Sequence, residues 1–206
     1  MTFGFLASFI VLALLVSFNA KRYSKRSKLD EKEFWARETR ANSVRRKSLD
    51  GLRYIKIPLE TFPTHLLNDD AAVMECIETI ESLTSMKIVN LTGWSNTDLK
   101  LEYGTANIND LSQYDQNYTL LVRTLQKWAE ALAAADHPRE AAILLEFAVG
   151  TGTDVSQTYY QLAAYWAEEG DSARIEQLIQ AAEGLRSSNR NSILRHLRSE
   201  YGKIWK

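Results

Sequence analysis

Residues 122–150 read VRTLQKWAEALAAADHPREAAILLEFAVG, and residues 156–184 read SQTYYQLAAYWAEEGDSARIEQLIQAAEG. The two segments align at an offset of 34 without a gap. Thr124 falls on Thr158, Ala129 on Ala163, Ala133 on Ala167, Leu144 on Leu178, Ala148 on Ala182 and Gly150 on Gly184. Apolar character is kept where identity is not: Leu125 meets Tyr159, Trp128 meets Leu162, Leu132 meets Trp166, Ala141 meets Ile175 and Leu145 meets Ile179. A fixed period of this length marks a supersecondary unit that buries its apolar face by stacking on a copy of itself. Asp136-His137-Pro138 and Gly170-Asp171-Ser172 fall at the centre of each unit, where a turn between two helices is predicted. Pro138 suits the first turn of a helix, because the N–H it lacks would have no intrahelical acceptor there.

The order of large and small residues resembles the tetratricopeptide repeat, a 34-residue pair of antiparallel helices. In the first helix of each unit it runs Leu125, Trp128-Ala129, Leu132, then Tyr159, Leu162-Ala163, Trp166. The second helices supply Ala141, Leu145 and Ala148, then Ile175, Ile179 and Ala182. Thr153 and Ser187 stand where that family usually carries proline, and Ile175 stands where it carries alanine. The resemblance implies a groove that grips a protein or peptide partner. By register its lining would be Arg123, Gln126, Lys127 and Glu130, then Gln157, Tyr160 and Gln161. The cationic clamp that some family members close on a partner's terminal carboxylate is not matched by Gln126, Glu130, Gln157 and Gln161. Two units leave apolar end faces that flanking elements must cover. Asn191 to Trp205 fits one end, with Ile193, Leu197, Tyr201 and Ile204 or Trp205 on one stripe; the region before Asn117 would cover the other.

Outward from the repeat, the 206 residues divide by charge. Residues 21–47 hold 11 Lys and Arg against 4 Asp and Glu, a net of +7, while residues 48–206 hold 14 against 22, a net of −8. One cysteine excludes an intramolecular disulfide framework, and three separated histidines argue against a histidine metal site. Thr2 to Ala20 carries no ionisable side chain and would span about 28 Å as a helix, close to the hydrocarbon thickness of a bilayer. A cleaved export signal is the rival reading; it fits poorly, because no cation precedes the apolar run and Phe18 stands where a small residue is wanted. Lys21, Arg22, Lys25, Arg26, Lys28 and Lys32 follow the run, favouring an uncleaved span with the N-terminus outside and the remainder in the cytoplasm.

The expected architecture is therefore mainly α: a transmembrane helix over 1–20, a basic juxtamembrane helix and linker over 21–48, an irregular adaptor over 49–116, and a tetratricopeptide-like helical domain over 117–206. The juxtamembrane helix is predicted over Leu29 to Lys47, with acids at its start and Arg45, Arg46 and Lys47 at its end. Lys21, Arg22, Lys25, Arg26, Lys28 and Trp35 are the candidate contacts with a membrane surface. The adaptor is expected to hold one amphipathic helix after Asn68-Asp69-Asp70 and a short edge strand within Arg53 to Leu59; strand and helix both stay open across 86–104. The Asn- and Asp-rich stretch Asn107 to Asn117 reads as turn and cap chemistry, since it lacks the ligand alternation of a calcium loop.

No phosphate loop, nucleophile elbow or zinc-protease motif occurs, and no nucleic-acid reader accompanies the basic stretch. No catalytic residue, cofactor, metal or small-molecule substrate is assigned. The function expected is that of a membrane-anchored docking protein. The overall arrangement resembles membrane-anchored bacterial members of the repeat family. A permanent subunit of a larger membrane complex is the alternative, and an enzyme with a site assembled by folding is the third reading.

Overall fold

The computed structural model describes residues 30–202, and every described element is helical or irregular, with no strand among the described residues. The apolar run 2–20, the cations at 21–28, and Ile204 and Trp205 lie outside them. Among the described residues no helix is long and apolar enough to cross a membrane. The chain divides into two compact units, one of 30–47 with Ser95–Ile108, the other of Ser48–Trp94 with 109–202.

In the first unit, α1 covers 30–42 and α3 covers Asn96–Tyr103. The expected continuation of α1 to Lys47 does not occur. It closes with the Ser43 and Val44 N–H groups donating to the Arg40 and Ala41 carbonyls, and residues 45–47 run on without helix. Asn107 holds them there: its buried amide donates to the Lys47 and Tyr103 carbonyls (2.7 Å each) and accepts from Arg46 Nε at 2.9 Å. The undecided 96–103 stretch is a helix because Ser95 and Asp98 form a capping box, each accepting from the other's backbone N–H. It stops at Gly104, whose φ of 88° only glycine adopts without strain. On α1, Ala41 is fully buried, Arg37 pairs with Asp98, and Glu38 accepts from Thr97 at 2.7 Å and from Lys100.

In the second unit, α2 (Ala71–Thr84) starts where predicted, with Asp70 accepting from the Ala72 and Val73 N–H groups. It buries Val73, Cys76, Ile77, Ile80 and Leu83. The edge strand expected in Arg53 to Leu59 is absent. A single backbone bond, Ile55 N–H to the Ile88 carbonyl (2.9 Å), joins two extended stretches, and Leu59–Thr61 turns as a 3-10 helix between Pro58 and Pro63. A ladder needs repeated bonds from residues free to donate, which the prolines interrupt.

The Asn- and Asp-rich stretch is also corrected. α4 runs from Ile108 to Ala134, so residues 108–117 are helical and the boundary placed at 116/117 falls inside one helix. Leu111 and Tyr118, seven positions apart, are both buried. The polar residues between them tie down the extended segment 87–91. Asp115 accepts from the Leu91 N–H, the Asn117 amide donates to the Lys87 carbonyl, and the Tyr114 carbonyl accepts from Val89.

The remaining helices are α5 (Pro138–Gly150), α6 (Ser156–Glu168), α7 (Ser172–Glu183) and α8 (Arg190–Tyr201). The turn inside each helical pair is the same backbone object. Asp136 and Gly170 are left-handed at φ 65° and 70°. The next N–H reaches back to the Leu132 and Trp166 carbonyls, both at 2.9 Å. The exits share one bond: Thr151 and Leu185 donate to the Ala148 and Ala182 carbonyls at 3.2 Å, after which only the first passes through a left-handed residue, Gly152 at φ 78°. Thr153 and Ser187 then accept from the N–H two residues on, at 3.2 and 3.1 Å, so a hydroxyl turn follows each exit. All these pairs are separated by 34 positions.

One core joins residues of α2, α4, α5, α6, α7 and α8. Ala129, Ala141, Ala148, Ala163 and Ala182 are each 3% exposed or less, small residues where helices approach closely. α6 packs on α5, α7 and α8, and α8 packs on α6 and α7 through Ile193, Leu194 and Leu197. Away from that stripe α8 is polar, with Arg195 and Arg198 exposed.

Candidate docking face on α4, α6 and α8

The seven residues predicted to line a groove separate into four roles. Arg123 and Gln157 are exposed. Gln126 is 8% exposed and is engaged within the fold: its Oε1 accepts from Thr158 Oγ1 (2.8 Å), and its Nε2 donates to Gln161 (2.8 Å) and Glu130 (2.7 Å). It clasps α4 to α6. With Gln161 in the same ladder, two predicted contact residues act as positioning residues. An amide suits the role because it donates and accepts at once, as no carboxylate or ammonium could.

Lys127 leaves α4 toward α2 and pairs with Glu75 at 2.7 Å. The Lys127 ammonium holds the Glu75 carboxyl below its usual range, and the carboxylate raises Lys127 in return. Both side chains are more than half exposed, so solvent screening leaves the pair little weight in stability. Tyr160 is half-buried and lies against His196 of α8, ring centroids 3.8 Å apart and tilted 41°. Glu75, Thr158 and His196 were not anticipated. α8 itself was expected, in Asn191 to Trp205; continuing the 34-residue offset once more also sets its Ile193 on Tyr159 and its Leu197 on Ala163.

A separate depression of about 550 Å³ opens between α5, α6 and α7 beside Val149, Leu162 and Leu178. Arg174 lies over the Trp166 ring at 4.2 Å and pairs with Glu146 and Asp171, so its cation is already matched. No group of His, Cys, Asp or Glu among the described residues is arranged to hold a metal ion. Cys76 is buried, and burial pushes its thiol up, away from the reactive thiolate. The Asn90 and Asn117 side chains are both engaged internally. The Asn117 amide is bonded to Lys87; that of Asn90 reaches the Tyr118 hydroxyl (3.0 Å) and the Thr151 and Gly152 carbonyls (3.0 and 2.9 Å).

Asn90 thereby fastens the 87–91 segment to the turn that separates the two helical pairs. Burial pushes the Tyr118 phenol up to about 12 and raises that of Tyr159, whose hydroxyl donates to the Thr153 carbonyl at 2.9 Å. The unfolded phenol titrates near 10, so the contribution of Tyr118 is complete below that pH and is lost as pH rises through 12. Urea unfolding of the wild type should lose up to ~3 kcal/mol over that interval from this group. Tyr118→Phe should show a correspondingly shallower decline; equal slopes would mean that the Tyr118 hydroxyl is not held as described.

Of the candidate membrane contacts, Lys21, Arg22, Lys25, Arg26 and Lys28 lie outside the described residues. Trp35 is 59% exposed on α1, with Phe34 beside it at 55% and their rings edge to face at 5.5 Å. Comparison with models of known protein families, with curated proteins and with solved structures finds no match to this chain.

Proposed function

We propose that this chain is a membrane-anchored docking protein. The apolar run 2–20 tethers it with the C-terminal unit in the cytoplasm, and two tetratricopeptide-like helical pairs receive a segment of another polypeptide. The observation that carries the reading is the repetition, at an offset of 34, of the same left-handed turn and the same exit bonds at Asp136/Gly170 and Thr151/Leu185. Equivalent turns set equivalent helices side by side, so α4, α6 and α8 share one face and α5 and α7 another. The first face offers Arg123, Lys127, Glu130, Gln157 and the half-buried Tyr160–His196 pair. Its mixture of charges, amides and one aromatic surface suits a polar peptide or helix. The Gln126 ladder keeps that face rigid, which lowers the entropy lost on binding.

A permanent subunit would expose a broad apolar area. In the second unit the large exposed apolar residues, Met86, Trp94, Leu120 and Ile143, instead fall singly on two loops, α4 and α5. This favours docking over permanent assembly.

Photo-crosslinking residues placed at positions 123 and 157, and at Glu176 on α7 as a control, test the reading in membranes. Adducts of the same mass are expected from 123 and 157 and not from 176. Tyr160→Ala should weaken capture roughly tenfold, the effect of losing about 1.4 kcal/mol at an aromatic contact. Identical adducts from all three positions, or capture indifferent to Tyr160→Ala, would reject this face as the receptor.

A further inference from the structure

The first unit uses α1 unevenly. Its C-terminal half is fastened along α3 and the turn that follows it: Arg37 to Asp98, Glu38 to Thr97 and Lys100, and the Ala41 carbonyl to Thr105 Oγ1 at 3.2 Å. The Asp98 carboxyl is held below its usual range by the Ser95 hydroxyl and backbone and by Arg37, and Glu38 is lowered chiefly by Lys100. The fastening stops at Arg37. One turn earlier, Phe34 and Trp35 stand out as the most exposed large apolar residues described, packed on each other. Large rings held in water by a fixed helix mark a surface that something covers.

We infer that the covering surface is an anionic bilayer, with α1 lying along the membrane and the Phe34–Trp35 pair set among the headgroups. This rests on the tether read in residues 2–20. Three features select lipid over protein. The apolar run ends at Ala20, fourteen residues before Phe34, a separation of about 21 Å if helical and more if extended, enough for α1 to return to the surface. Between Lys21 and Glu33 six cations outweigh Asp30, Glu31 and Glu33, so the approach to anionic headgroups is favourable on balance. Tryptophan, with an apolar body and one N–H, is suited to the zone where hydrocarbon meets water. On α1 Phe34 continues the stripe of Arg37, Glu38 and Ala41 one turn toward the N-terminus, beyond the last of the contacts with α3.

The full-length chain reconstituted into phosphatidylcholine vesicles, with and without phosphatidylglycerol, decides the matter. A spin label is attached in turn at Phe34→Cys, Trp35→Cys and Arg40→Cys; Cys76, 2% exposed, stays unlabelled in the folded protein. Oxygen concentrates in the bilayer, whereas a nickel chelate stays in water. Labels at 34 and 35 should favour oxygen in phosphatidylglycerol vesicles and shift toward nickel without it, while the label at 40 favours nickel throughout. Nickel access at 34 and 35 in both vesicles would place the pair in water and overturn the inference. Exclusion of both probes would mean that protein covers the pair, either residues 1–29 or a second copy, and would overturn it equally. Alkaline carbonate extraction separates the two readings: a chain that is released defeats the tether and this inference together, and one retained with 34 and 35 in water defeats this inference alone.

Discussion

Replacing Trp128 with alanine should cost roughly 3–5 kcal/mol, the largest loss expected from any single truncation in the second unit. Trp128 is fully buried in the C-terminal third of α4, with the Phe62 ring edge-on to it at 6.1 Å. Phe62 in turn meets Phe147 of α5 at 5.3 Å. One indole thus lies where α4, α5 and the loop before α2 converge, and removing it leaves a cavity that three separate elements would have to move to close. The stability of a domain this size is about 5–15 kcal/mol, so the variant should unfold at a much lower urea concentration. Trp128→Phe should be markedly milder. The indole N–H is buried without an acceptor, and phenylalanine removes that unmet donor together with the ring atoms that carry it. Far-UV dichroism during urea titration measures both. If phenylalanine proves as damaging as alanine, the N–H has a partner that stabilises it; if alanine is tolerated, the core is not packed around this ring.

The contrast between Trp128 and Gln126 illustrates what can be read from sequence and what cannot. Periodicity reports which side of a helix faces a neighbour, so Leu125, Trp128, Ala129 and Leu132 were legible as core and are all buried. The same periodicity assigns a polar side chain to an outward face by default. Gln126 sits at the border between stripes, and only the position of Thr158 on the next helix pair turns it inward. Long-range polar pairing leaves no local trace. The start of α4 was missed for a related reason. Asn109, Asp110, Asp115 and Asn117 have local preferences for turns and caps, and tertiary bonds from Asp115 and Asn117 to the 87–91 segment override them. The alternation of Tyr54, Ile55 and Ile57 made 53–59 resemble a strand, but Pro58 and the bonding of 87–91 to α4 leave it a single backbone bond, Ile55 to Ile88. The 34-residue repeat survives all this because it is written into backbone geometry. Position 136 is aspartate and position 170 is glycine, and both are residues that tolerate the left-handed region.

The second large effect lies in the first unit, at Gly104. Its φ of 88° and ψ of 149° fall in a region essentially confined to glycine. A Cβ built there would stand 2.3 Å from the Arg45 carbonyl oxygen and 2.7 Å from its carbon, both backbone atoms. Gly104→Ala therefore meets two costs at once. The backbone must leave its conformation, at about 1–3 kcal/mol, and the 45–47 segment must withdraw from the end of α3. Withdrawal breaks the bonds that Lys47 and Arg46 make to Tyr103 and Asn107, and leaves the buried Asn107 amide without its acceptor on Lys47. Each buried group so stranded adds about 1–3 kcal/mol. The total is comparable with the Trp128 truncation but is confined to a different place. Hydrogen exchange should accelerate at the Lys47, Gly104 and Asn107 amides, and limited proteolysis should cut within 43–48. Amides of α5, α6 and α7, held by the other unit, should keep their protection. Asn107→Ala should accelerate the same three amides without straining φ at 104, separating loss of the polar bonds from loss of the glycine conformation. If exchange rises equally in α6, the two units unfold together and the division between them is not energetic; if it rises nowhere, the contact of Arg45 with Gly104 is not part of the native state.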